Sequence, residues 1–195
     1  MGGALVLAGY LEVICGSMFS GKSEELIRRV KRVVIARKRV AVFKPALDDR
    51  YGARAVNSHD GNSLEAHAVP HEEPDQVLRI ARQEGAEVVA VDEAQFFSPG
   101  IVDVVMTLVE EDRRVIVAGL DMDFAGRPFG SIPTLMALAD EVSKLKAICV
   151  VCGRPATYNQ RLIDGKPARK KDPLIVIGGQ ERYEARCRDC YQWPE

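Results

Sequence analysis

Residues 16–23 read GSMFSGKS and fit the pattern G-x-x-x-x-G-K-[ST] in full. Glycines let the backbone curl so that successive N–H groups point inward at phosphate oxygens. A helix beginning there would add its positive end to the same site. In that setting Lys22 reaches the β- and γ-phosphates, and the Ser23 hydroxyl ligates Mg²⁺. Gly16, Ser17, Met18, Phe19, Ser20, Gly21, Lys22 and Ser23 are therefore candidate ATP contacts. The bland alternative is a tight turn with a surface lysine. An apolar run before the turn and an amphipathic pattern after it both weigh against that.

A phosphate loop needs a carboxylate at a neighbouring strand end to complete the Mg²⁺ shell. Asp92 stands directly after the apolar run VVAV (88–91) and fits that role. Glu93 comes next and could take a proton from an acceptor hydroxyl or orient a water. Kinase and ATPase stay open on these residues alone, as does a solvent-facing or capping role for Glu93. Phe96 and Phe97 are core by default, and one of them could flank a flat ligand.

Four of the five cysteines form two knuckles, Cys149-x-x-Cys152 and Cys187-x-x-Cys190. Four thiolates suit a closed tetrahedral Zn²⁺ site of structural type. Reduced core thiols and a redox C-x-x-C are the competing readings. The remaining Cys15, just ahead of the glycine-rich turn, reads as a small core residue. His59, His67 and His71 lie far from the cysteines and read as surface or loop residues.

These residues need a frame. The runs LEVIC (11–15), VAVF (40–43), VVAV (88–91) and VIVAGL (115–120) are apolar without clean alternation. Such runs suit strands buried on both faces of a parallel sheet. Between them, residues 24–37 carry Leu26, Ile27, Val30, Val33 and Val34 at helical spacing. Pro74 can open a second helix ending near Gly85, and 99–109 make a third. Strands alternating with helices predict an α/β fold with right-handed crossovers.

The pattern changes near Lys146, dividing residues 1–146 from a small unit at 147–195. In the latter, Arg161, Lys166, Arg169, Lys170 and Lys171 read as a solvated, mobile loop.

The 195 residues carry a net charge of −1, which disfavours a broad basic field for duplex DNA or an anionic membrane. MGGALVLAGYLEV has no basic n-region, and no apolar run approaches the ~20 residues of a membrane helix. The expected location is the cytoplasm.

GSMFSGKS, DEAQFF (92–97), SHDG (58–61), LDMDFAGRPFG (120–130) and the two knuckles around LIVIGGQERYEARC occur in an ordered set. Together they resemble the zinc-containing type II thymidine kinase family, from about Leu11 to Tyr191. The resemblance implies a RecA-like P-loop domain with parallel sheet and flanking helices, followed by a small zinc-binding lasso domain. It implies transfer of the ATP γ-phosphoryl to the 5′-hydroxyl of thymidine or deoxyuridine, serving salvage for DNA synthesis. Glu93 matches the catalytic base and Asp92 the Mg²⁺-linked carboxylate. Ala94 and Gln95 fall with them at the nucleotide site. Asp48, Asp49 and Arg50 resemble loop residues near the phosphates. Leu120, Phe124, Met18 and Phe97 match the walls of the thymine pocket. Leu174, Ile175, Val176, Ile177 and Gly178, with Tyr183, match the lasso that reads the base.

Asn159 departs from the pattern, standing where many members carry threonine beside the base. The resemblance also implies structural zinc, a homotetramer and feedback inhibition by thymidine triphosphate. An ATP-driven nucleic-acid-binding protein is the rival from another class. A kinase for another deoxynucleoside or a nucleotide is the rival among enzymes. Neither a basic stripe nor interleaved aromatics supports the motor.

Overall fold

A computed structural model describes residues 9–46, 55–57, 63–174 and 182–195. Strand β1 (Tyr10–Gly16) is buried from Leu11 onward. The glycine-rich turn leads into helix α1 (Lys22–Ile35), which buries Leu26, Ile27, Val30 and Val33. Next come β2 (Val40–Ala46), a short antiparallel pair β3 (Ala55–Asn57) and β4 (Ser63–Glu65), and β5 (His67–Pro70). Helix α2 (Asp75–Gln83) precedes β6 (Val88–Val91), and a 3₁₀ turn (Ala94–Phe96) follows it. Then α3 (Ile101–Glu110), β7 (Arg114–Gly119), α4 (Ile132–Leu138) and β8 (Glu141–Leu145) complete the layer.

Six strands form one parallel sheet in the order β5-β2-β6-β7-β1-β8. Alternation along β1 divides the core between the two faces. Leu11, Val13 and Cys15 pack with Val77, Ala81, Ile101, Val105, Leu108 and Ile132, against α2, α3 and α4. Ile14 packs on the other face with Leu26, Ile27, Val30 and Val33 of α1. Both faces are covered, which is why these strands read as continuous apolar runs. Strand β7 lies between β1 and β6, so the glycine-rich turn and Asp92 flank the end of β7.

The expected parallel sheet with flanking helices is present, and the four expected strands are β1, β2, β6 and β7. The two edge strands and α4 extend that reading. Strand β8 is half exposed and polar, and β5 is four residues long and ends in proline, so neither resembles a buried run. His67 opens β5 at the sheet edge with its side chain partly exposed, its ring centre 5.2 Å from that of Phe43.

Beyond Lys146, β9 (Ala147–Ile148) and β10 (Pro155–Ala156) pair as a hairpin. β11 (Tyr158–Ile163), β12 (Lys166–Pro167) and β13 (Arg182–Arg186) form an antiparallel sheet with β11 in the middle. Asp164 and Gly165 turn the β11–β12 hairpin with φ of 49° and 75°, the positive pair that suits a tight hairpin. The expected mobile loop is thereby corrected at its start. Arg161 is a buried β11 residue, 1 % exposed, with its guanidinium 4.9 Å from the Phe124 ring centre. Lys166, Arg169, Lys170 and Lys171 are exposed as expected. Among the described residues no helix is long and apolar enough to cross a membrane.

Candidate active site

The glycine-rich turn is shaped by its contacts. Gly16 has φ of +143°, and a Cβ there would stand 2.4 Å from the Leu145 carbonyl oxygen. Gly21 caps α1 in the left-handed region at φ 85°. Lys22 opens the helix, buried, with Nζ donating to the Ser17 carbonyl at 2.8 Å. Burial pushes its pKa below the ordinary lysine value, while the Glu93, Asp92 and Asp121 carboxylates pull it back up. The Ser20 hydroxyl is buried in the turn without a hydrogen-bond partner among the described residues. A glycine-shaped turn curled around a buried ammonium suits a phosphate chain.

The ends of β1 and β6 meet through Ser23, whose hydroxyl donates to Asp92 Oδ2 at 3.0 Å. Asp92 Oδ1 accepts the Glu93 N–H at 3.0 Å. Burial pushes the Asp92 carboxyl up to about 7, the Glu93 carboxylate adds to the rise, and the Ser23 and Glu93 donors oppose it. A buried carboxylate beside a hydroxyl is an oxygen donor set of the kind Mg²⁺ takes, and a cation there would relieve the crowding.

Glu93 sits at φ 51°, so the chain turns sharply and its side chain leaves β6 in a new direction. Gln95 Nε2 donates to Glu93 Oε2, and Gln95 Oε1 accepts the Leu120 N–H at 3.0 Å. Gly119 leaves the room this needs: a Cβ there would lie 2.5 Å from Gln95 Oε1. Gln95 is 3 % exposed, and its carboxamide faces Glu93 and Leu120.

Leu120 begins the loop that returns to α4. Asp123 folds this loop, accepting N–H groups from Ala125 at 2.8 Å and Arg127 at 2.9 Å. Side chains from elsewhere fasten its main chain at alternate positions. Gln95 takes the Leu120 N–H, Asn159 Nδ2 donates to the Met122 carbonyl at 2.8 Å, and the Tyr191 hydroxyl donates to the Phe124 carbonyl. Phe124 is buried with Ala125 and Ala168, and half-buried Tyr183 packs against them. Phe97 is buried in the core on the α3 face, and Phe96 meets Phe129 edge to face at 5.6 Å.

The C-terminal elements dock on the phosphate loop. The Met18 N–H donates to Asn159 Oδ1 at 2.7 Å, and the Ser17 hydroxyl donates to the Ala156 carbonyl at 3.3 Å. The sequence thus places Lys22, Ser23, Asp92, Glu93, Gln95, Leu120, Phe124 and Asn159 in one neighbourhood. Leu174 is exposed. Asp48, Asp49, Arg50, Ile175, Val176, Ile177 and Gly178 lie outside the described residues. Gln95 and Tyr191 act here through contacts remote in sequence, and Asp123 alone of the loop's organisers had a local signal, its short D-x-A-G-R turn.

The sulfurs of Cys149, Cys152, Cys187 and Cys190 lie within 4.8 Å of one another, with Cys152 and Cys187 3.6 Å apart. Four sulfurs about ~2.3 Å from one zinc ion stand about 3.8 Å apart in a regular tetrahedron, so the cluster fits that ion. Arg154 lies 3.5 Å from Cys152 Sγ and bonds Asp189 at 2.7 Å, bringing positive charge to the thiolates. Cys15, by contrast, is fully buried in the core, and burial raises its thiol to about 11.

The family model described as thymidine kinase matches residues 9–191. A thymidine kinase from Coprothermobacter proteolyticus is 57% identical over 186 residues, covering 95% of this chain and 92% of the relative.

Proposed function

The chain belongs to the thymidine kinase family, and from that premise we propose how its residues share the transfer of the ATP γ-phosphoryl to the thymidine 5′-hydroxyl. The main-chain N–H groups of residues 16–23, apart from that of Met18, hold the phosphates, and Lys22 neutralises charge on the β- and γ-phosphates. Ser23 and Asp92 would hold Mg²⁺, which when bound would screen the phosphate oxygens. Glu93 accepts the 5′-hydroxyl proton as the oxygen bonds to the γ-phosphorus and the bond to the ADP oxygen breaks. A carboxylate suffices as base because the loose transition state needs positioning and charge neutralisation above all.

Gln95 fixes the Glu93 carboxylate through its amide. Leu120, Phe124 and Met18 supply apolar surface for the thymine ring and methyl, Phe97 is packed in the core on the α3 face and its place at the ring is carried by the resemblance alone, and Tyr183 stands against Phe124. Asp48, Asp49 and Arg50 at the phosphates, and 174–178 at the base edge, are carried by the resemblance alone. So are deoxyuridine as second acceptor, the homotetramer and inhibition by thymidine triphosphate; a cytoplasmic location is proposed with them. Cys149, Cys152, Cys187 and Cys190 hold structural zinc and tie residues 147–195 into a lasso unit distinct from residues 1–146.

The observation that supports this most is the Ser23–Asp92 hydrogen bond at 3.0 Å, which joins the phosphate loop to the strand end bearing Glu93. The test is ATP consumption across the common nucleosides. Thymidine should stimulate it and single-stranded DNA should not; the reverse result would favour the motor. Glu93→Gln should lower kcat by ~10²–10⁴ with ATP binding retained. Near-normal turnover in that variant removes Glu93 from the role of base.

A further inference from the structure

We propose that Asn159 is a positioning residue that couples the two substrates, so that thymidine bound against the 120–124 loop tightens the phosphate loop around ATP. This rests on the reading of the site given above. Both ends of the Asn159 carboxamide are committed to main chain. Oδ1 accepts the Met18 N–H at 2.7 Å, inside the phosphate loop, and Nδ2 donates to the Met122 carbonyl at 2.8 Å, inside the thymine-wall loop. The pairing fixes the amide orientation, because a flipped carboxamide would set oxygen against carbonyl and NH₂ against N–H.

The residue is 2 % exposed and sits on β11, the middle strand of its sheet, so its backbone cannot readily drift. Met122 lies midway between two further fastenings of the same loop. Gln95 holds Leu120 and also Glu93, while Tyr191, next to Cys190, holds the Phe124 carbonyl. A ligand packed against Leu120 and Phe124 therefore presses on a loop whose central carbonyl is tied, through one rigid side chain, to the loop that holds phosphate. Met18 bears on both, since its N–H belongs to the phosphate loop and its side chain is a candidate wall of the base pocket.

Threonine at this position would offer one hydroxyl at shorter reach. A single oxygen would have to reach both main-chain partners, which the longer planar amide serves with separate atoms. Asparagine here thus supplies a brace between the two halves of the site.

The test measures binding of a non-hydrolysable ATP analogue by calorimetry, with and without saturating thymidine, for the natural protein, Asn159→Leu and Asn159→Asp. In the natural protein thymidine should tighten the analogue by ~5–50-fold, the usual size of coupling between sites. Asn159→Leu keeps the length and loses both bonds, so tightening should fall below about twofold. Asn159→Asp keeps an acceptor for Met18 and sets a carboxylate against the Met122 carbonyl. It should raise KM for thymidine more than KM for ATP.

A merely structural role would lower stability and leave the coupling ratio unchanged. Unaltered tightening in both variants, or none in the natural protein, overturns the proposal. Should Asn159→Leu fail to fold, the isosteric Asn159→Asp decides alone. Thymidine-dependent ATP turnover by the natural protein is recorded alongside. Its absence would sink the reading of the site; its presence with unaltered coupling in the variants would sink only the brace.

Discussion

At the N-terminal ends of the central strands, buried Glu12 receives Arg29 at 2.5 Å and Arg114 at 2.5 Å. At the C-terminal ends, buried Asp92 accepts, among the described residues, from a hydroxyl and a main-chain N–H, and its charged neighbours are a second carboxylate and the Lys22 ammonium. The first cluster is complete in itself, since Arg29 also bonds Glu25 at 2.8 Å and Ser143 at 2.7 Å. In the second, Lys22 is drawn down by burial, Asp92 is pushed up to about 7, and Asp121 pairs with Lys144 at 2.6 Å through Oδ2 while its Oδ1 has no hydrogen-bond partner among the described residues. One sheet thus carries two buried charge clusters of opposite character. A closed network holds elements together, and an unbalanced one is poised for charge that arrives with a ligand.

The largest effect that would sharpen this contrast is on stability at the closed end. Arg29→Met should cost about 3 kcal/mol, because Glu12 stays buried with one of its two cationic partners gone. Turnover per folded molecule should hardly change. The double variant Glu12→Met/Arg29→Met should recover much of the loss, since it removes the buried charge as well as its partner. Chemical denaturation of the three proteins measures this. A full-sized loss in the double variant would mean that packing, not charge, is what Arg29 contributes.

The open end should respond in the opposite sense. The Asp92 carboxyl lies near 7 in the folded chain, above the ~3.9 of an unfolded aspartate. Its ionised form is therefore a burden on the native state above pH 7, and that burden lifts as pH falls through 7 toward 4. In magnesium-free buffer Asp92→Asn should gain about 1–2 kcal/mol of stability at pH 8, and the gain should vanish by about pH 5. The same variant should lose kinase activity by ~10² or more. Equal stability of the two proteins across that pH range would show that the acidic cluster is already relieved without a ligand, and the contrast between the ends would fail.

The sequence is legible at these two ends to different degrees, for a physical reason. The phosphate loop is contiguous, so eight residues carry the strand end, the turn, the ammonium and the hydroxyl together. Asp92 and Glu93 are read from a buried run followed by acid, and the family resemblance supplies the rest of their meaning. The Glu12 network joins β1, α1, β7 and β8, and no local pattern marks Glu12 as buried within LEVIC.

The fastenings at Leu120, Met122 and Phe124 are equally silent in sequence, because each joins a side chain to main chain across many residues. Arg161 shows the reverse error. A run rich in basic residues reads as solvated, yet β11 turns this member inward over Phe124 while its neighbours stay exposed. Edge strands β5 and β8 were hidden because exposure lets them carry polar residues and proline.

The smallest expected effect lies at the rim of the closed cluster. The hydrogen bond from Arg28 chiefly holds the Glu25 carboxyl down to about 2; burial opposes it, and the hydrogen bond from Arg29 adds to the lowering. An unfolded glutamate titrates near ~4.3, so the folded value is depressed. Its contribution is present above that pH and is lost as pH falls from there toward 2. Glu25 is partly exposed and Arg28 largely so, and solvent screening limits such a pair to ~0.5–1 kcal/mol. Glu25→Gln should therefore be less stable than the natural protein by that amount at pH 7. The two should converge as the pH approaches 2, and added salt should narrow the gap at pH 7. A deficit several times larger would place Glu25 inside the closed network rather than at its edge. Arg29 would then depend on Glu25 as much as on Glu12 for its orientation.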